Sequence, residues 1–311
     1  MLTSHPSWGV TDSSKLGTYL ECPRKFFLRH RLGLSPVPSS RHLDYGIAVH
    51  AGFARLYRAA MDGRPWGDDV LKEAADEMER TYRLTGRGPA EDMDSGSKTP
   101  GAFRAALPRY AELWGDDATR WEILAIEEAF HVTLPSGRMI AGRMDVVARR
   151  RTDGALIAVE HKTTGRVDLN WLWQWDLSHQ VGTYDYALRM LYPGQLVLGV
   201  LINAVVCPRV GKLTFDRMLV MRGVDEARAW SALIERALSD IEWDDREITM
   251  NKTAPEEAFP MNPTSCNKYN GCEYINICRS CPLPDRAVKE VESGPPDGFE
   301  ISWWNPLEDE E

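Results

Sequence analysis

The sequence predicts an α/β fold in which a helical region is inserted ahead of a sheet core. Three observations carry that expectation. Apolar residues recur at helical spacing through most of the first 120 positions, the period shifts toward two from Trp121, and from Trp171 the order is helix, strand, strand, helix. With 311 residues, 43% hydrophobic and 27% charged, the chain can bury one large core or two modest ones.

In order, Ser13 and Ser14 are candidate caps for a helix through Leu16, Tyr19, Leu20 and Phe27, and Pro23 inside it predicts a break near Cys22. Helices are expected over 45–61, 68–84 and 100–114, with a polar, Gly-rich and mobile loop between the last two. Residues 123–148 read as strands parted by Pro135 to Gly137, and 155–162 as the next strand after the turn "RTDG". An aromatic-rich helix is expected over 171–191, strands over 195–206 and 212–221, and a helix over 227–241. From about 286 the chain reads as an acidic, flexible tail whose Trp303 and Trp304 could dock a protein partner.

The formal charge of −9 argues against coating nucleic acid through the overall field, but Arg24, Lys25, Arg29, His30 and Arg31 cluster, as do Arg149 to Arg151. No run approaches eighteen apolar residues and the first residues lack a secretory pattern, so a cytoplasmic protein without a membrane span is expected. The six cysteines then suggest no disulfide framework. Cys266, Cys272, Cys278 and Cys281 crowd into sixteen residues, a spacing open to a tetrahedral zinc site.

The densest chemistry lies in "GRMDVVARRRTDGALIAVEHK". If 152–154 turn the chain, antiparallel pairing puts Asp145 opposite Glu160 or within about two residues of it. Facing carboxylates repel unless a positive group sits between them, and a hard divalent cation takes such oxygens. Glu160 and Lys162 share one strand face, so the amine can reach a water near that cation. His161 points the other way and offers its main-chain carbonyl. Taken alone, Glu160 and Lys162 read first as a surface ion pair, and it is Asp145 at hairpin spacing that shifts the reading toward a metal site.

"GRMD" followed by "VEHK" resembles the PD-(D/E)XK nuclease superfamily. With "SKLGTYLECPRKFFLRHRLGL", "YGIAVHAGF", "QVGTYDYAL" and the terminal cysteines, the chain is similar to the RecB-like branch over 13–282, which includes AddB-type, CRISPR-adaptation and phage exonuclease relatives. The resemblance implies a restriction-endonuclease-like core, a mixed central sheet flanked by helices, within a nuclease domain over 1–285 that carries a helical insertion at about 51–120. It implies a Mg²⁺ or Mn²⁺ centre held by His50, Asp145, Glu160 and the His161 carbonyl, with Lys162 catalytic and Gln180 and Tyr184 placing the substrate strand and the active-site residues. An acid on the preceding strand, Glu127 or Glu128, corresponds loosely to another in this branch. A 4Fe-4S cluster on Cys22, Cys266, Cys272 and Cys278 is also implied, with Cys281 in surplus and zinc as the lesser alternative. The implied activity is a metal-dependent deoxyribonuclease, exonucleolytic on single strands or duplex ends, in recombination, repair or phage DNA processing. The other reading is a DNA-binding or assembly subunit without catalysis.

Overall fold

The computed structural model describes residues 4–92, 96–268, 271–280, 283, 288, 291 and 293–307. Its elements run α1 (Ser13–Glu21), α2 (Pro23–Phe26), β1 (Leu34–Pro36), α3 (Arg41–Met61), α4 (Asp68–Leu84), α5 (Pro89–Asp92), α6 (Pro100–Trp114), α7 (Asp117–Arg120), β2 (Trp121–Thr133), β3 (Met139–Arg150), β4 (Leu156–Thr164), α8 (Leu169–Asp176), α9 (His179–Leu191), β5 (Val197–Val206), β6 (Thr214–Val220), α10 (Val224–Thr249) and β7 (Phe299–Ile301). The span 1–285, read from sequence as one nuclease domain, is divided between two compact units, one of residues 40–130 and 143–224, the other of residues up to 39, 131–142 and 225 onward. Among the described residues no helix is long and apolar enough to cross a membrane.

The first of these units holds the sheet, in the order β2-β3-β4-β5-β6. β4 runs antiparallel to β3 and parallel to β5, and β6 returns antiparallel to β5. This is the expected mixed central sheet, with α3 and α9 packed on it. β4 is its middle strand, which is why Leu156 to His161 are buried without alternation. Gly199 in β5 has φ +133, and a Cβ there would fall 2.0 Å from the Val220 carbonyl, so no other residue fits.

α3 is capped by Ser40, whose hydroxyl accepts from Leu43 N. Tyr45, Val49, Phe53, Leu56 and Ala60 recur at three- and four-residue steps and bury one helix face. Gly52 lets α4 approach, since a Cβ at that position would meet Met78 at 3.0 Å. Phe53, Met78, Phe103 and Tyr110 share one core with Val146, Ile157 and Val159 of the sheet. The helical insertion is therefore built into the core that carries the site.

The other unit brings distant parts of the chain together. Cys22 is extended between α1 and α2, the break that Pro23 predicts. Arg31 is buried and forks onto Asp245 at 2.6 and 2.8 Å while its guanidinium lies 4.4 Å from the Phe26 ring. The segment read as a flexible tail is a strand over 299–301, with Leu34 opposite Ile301 and Pro36 opposite Phe299. Phe299 stacks on Tyr274, Trp303 stacks on His5 at 4.1 Å, and Trp304 Nε1 donates to Asp12 at 2.6 Å. Phe299, Ile301 and Trp303 alternate with polar residues; Phe299 and Trp303 are half-buried through their ring contacts while Ile301 stays exposed, so the β1 pairing and the two stacked rings hold the segment despite the Pro and Gly that precede it.

The helix expected over 171–191 is two helices, because Ser178 leaves helical geometry and its hydroxyl accepts from Val181 N to start α9. α10 continues eight residues beyond the expected 241.

Candidate active site

The hairpin between β3 and β4 pairs Val146 with Val159, so Asp145 and Glu160 come next in the same register. Both carboxylates are buried, at 6% and 2% exposure. Asp145 Oδ2 accepts from His161 N at 2.7 Å, and Asp145 Oδ1 faces His50 Nδ1 of α3 at 3.3 Å. Glu127 completes a group with His50 and Asp145 in which one ligand atom from each lies within 4.8 Å of the others.

Glu127 reaches this place through an irregular backbone. It has φ +51 inside β2, a left-handed conformation that costs a residue with a Cβ about 1–2 kcal/mol. The buried positions of β2 lose their alternation here, with Ile123, Ile126 and Phe130 inward. Such a break re-aims a side chain.

Charge at the site follows burial and proximity. Burial works against a charged His50, but Asp145 beside it prevails and holds the imidazole up at about 9. Burial raises Asp145, and His50 with the His161 amide outweighs it, so that carboxyl stays ionised. Burial and then Asp145 push Glu160 up, and the same two causes push Glu127 up. Three carboxylates here face one imidazole and the Lys162 ammonium, which leaves room for one further positive charge.

Glu160 divides its oxygens. Oε1 pairs with Lys162 Nζ and accepts from Gln180 Nε2 at 3.0 Å. Oε2 is buried and has no hydrogen-bond partner among the described residues. Lys162 Nζ also donates to Gln180 Oε1 at 3.0 Å and lies 5.7 Å from the Trp175 ring centroid. Gln180 donates to Tyr184 OH at 3.1 Å, and Tyr184 OH donates to the Arg143 carbonyl at 2.6 Å. A carboxylate oxygen buried without a donor, next to a buried carboxylate and an imidazole, suits an oxygen-seeking divalent cation.

His161 turns its ring away, into the core. It stacks on Phe53 at 4.4 Å and its Nδ1 meets Asn203 Nδ2 at 2.8 Å. Burial pushes it down to about 3, so the ring is neutral and only its main chain faces the carboxylates.

His50, Asp145, Glu160, Lys162, Gln180 and Tyr184 are thus brought together. Glu127 stands with them, whereas Glu128 is exposed and outside the group. Arg143, Asn203 and Arg217 were not singled out by sequence reasoning. Arg217 is buried on Asp117 at 2.6 Å, on Tyr110 OH at 2.7 Å and on Asn203 Oδ1 at 2.9 Å.

In the other unit Cys22 is buried and Cys266, Cys272 and Cys278 are half-buried. Burial pushes the Cys278 thiol up to about 11, with Arg24 opposing and Cys272, Cys22 and Cys266 adding to the rise. Among the described residues no three cysteines bring their sulfurs within 4.8 Å. Thiolates on one tetrahedral zinc, with bonds of about 2.3 Å, would sit about 4 Å apart. Cys281 lies outside the described residues.

The family model described as the PD-(D/E)XK nuclease superfamily matches residues 13–279. A crystal structure from Eubacterium rectale, provisionally described as an exonuclease, is similar at 11% identity over 88% of this chain and 89% of that one, with a TM-score of 0.44. The crystal structure of SSO0001 is similar at 13% identity over 73% and 82%, with a TM-score of 0.28. No curated protein matches the chain.

Proposed function

Because the chain belongs to the PD-(D/E)XK nuclease superfamily, we propose that it is a Mg²⁺- or Mn²⁺-dependent deoxyribonuclease that degrades DNA from single strands or duplex ends. Its setting is recombination, repair or phage DNA processing. The observation that carries this reading is Glu160, with one oxygen held by Lys162 and Gln180 and the other buried beside Asp145 without a hydrogen-bond partner among the described residues.

His50, Glu127, Asp145, Glu160 and the His161 carbonyl would hold the cation. When bound, the ion supplies a Lewis acid that polarises the scissile phosphate and lowers the pKa of water. Lys162 Nζ holds the attacking water and offsets the charge that grows on the phosphate oxygens. Gln180 fixes Lys162 and Glu160 relative to each other, and Tyr184 ties Gln180 to the main chain of β3. The core beneath His161 keeps its ring neutral and its carbonyl in place.

The other unit is proposed to carry a 4Fe-4S cluster on Cys22, Cys266, Cys272 and Cys278. This reading rests on the resemblance of "YLECPRKFF" and "CNKYNGCEYINIC" to the cysteine segments of iron-sulfur members of the superfamily.

The test of the activity is incubation of end-labelled single- and double-stranded DNA with the full chain in Mg²⁺, Mn²⁺ or EDTA. Metal-dependent release of short products from one end is expected. Binding without cleavage in either metal would leave the DNA-binding subunit as the reading.

A further inference from the structure

Glu127 and Lys162 stand at opposite ends of one hydrogen-bond chain. Lys162 Nζ donates to Gln180 Oε1, Gln180 Nε2 donates to Tyr184 OH, and Tyr184 OH donates to the Arg143 carbonyl at 2.6 Å. Arg143 then continues the chain through its side chain, since Nη1 donates to the Glu127 carbonyl at 2.9 Å. That carbonyl belongs to the residue at φ +51, the one place in β2 where the described backbone is left-handed.

A strained conformation persists only where its surroundings over-determine it. If Glu127 relaxed to the ordinary pleat, its carboxylate would swing out of the group it forms with His50 and Asp145. The guanidinium also offsets, next to Glu127, the repulsion from Asp145.

We infer that Arg143 is a positioning residue: by holding the Glu127 carbonyl it keeps β2 bent, so that Glu127 serves as the third side-chain ligand, with His50 and Asp145, of one divalent cation. This rests on the metal centre proposed above and not on cleavage. Arg143 acts on the ion through Glu127, so removing either residue has the effect of removing both.

The test is Mn²⁺ binding to the full chain by isothermal titration calorimetry, in a double-mutant cycle of Arg143→Met and Glu127→Gln. Arg143→Met weakens Mn²⁺ binding by about 10- to 100-fold, the usual effect of losing a residue that orients a ligand. The double variant binds no more weakly than Glu127→Gln alone. Arg143→Lys, which keeps a donor and a charge, recovers most of the affinity. Parent-like binding by Arg143→Met, or losses that multiply in the double variant, would overturn the inference and leave the metal centre standing. A parent that does not bind Mn²⁺ would overturn the centre itself, and the inference with it. Should Arg143→Met lose its circular-dichroism spectrum, Arg143→Gln takes its place in the cycle, with the same criteria.

Discussion

His50 and His161 lie with ring centroids 5.8 Å apart, yet their surroundings drive them in opposite directions. Against Asp145 the first is held charged, and in the core the second is held neutral. His30, in the other unit, shows the second behaviour alone: burial pushes it down to about 2, with Lys15, Arg29, Arg31 and Lys25 adding to the fall. Its folded pKa is below the unfolded value of about 6.5, so the unfolded chain binds the extra proton and stability is lost as pH falls below 6.5. Between pH 7.5 and 5 this group alone removes about 2 kcal/mol. Urea midpoints at the two pH values should fall more steeply for the parent than for His30→Met; equal slopes would show that His30 is not buried neutral. At this scale the sequence was partly legible. Glu160 and Lys162 were readable because a strand's two-residue period places them on one face. Glu127 was readable only as one of two adjacent acids, because its selection depends on φ +51 and on the Arg143 contact.

Among the elements, the β3–β4 hairpin was legible to within about two residues, since a short turn limits register and register fixes which side chains meet. The break between α8 and α9 was hidden inside an aromatic run, where only the Ser178 cap marks it. The terminal strand was masked by the Pro and Gly ahead of it. Nor did any pattern announce the buried polar network that joins α3, α6, α7, β5 and β6 beneath His161. In it Arg217 bonds Tyr57 OH at 3.1 Å, Tyr110 OH, Asn203 and Asp117. Its members are spread from residue 57 to 217, so only the folded core assembles them. Removing one partner leaves a buried charge uncompensated, which typically costs about 3–5 kcal/mol. Asp117→Ala should lower the chemical-denaturation free energy by that order, and a loss under 1 kcal/mol would mean that solvent reaches Arg217.

Across the whole molecule, the chain commits its middle to the sheet unit and its two ends to the other unit. The proposed cluster would tie those ends, Cys22 and Cys266, Cys272 and Cys278 each ligating one of its irons, in a unit already joined by the β1–β7 pairing. Anaerobic purification should therefore give a brown protein with about four irons per chain and a broad visible absorption. Cys278→Ser should lose most of that iron, and a colourless protein containing zinc would refute the cluster. The central claim belongs to the sheet unit: one buried constellation on β3, β4, α3 and α9 hydrolyses DNA with a divalent cation. The most direct measurement compares the parent with Lys162→Ala on end-labelled DNA in Mn²⁺, with thermal unfolding recorded for both. Cleavage by the parent, abolished by EDTA, and at least 100-fold slower in an equally stable Lys162→Ala chain is the predicted result. Full cleavage by Lys162→Ala would contradict the account.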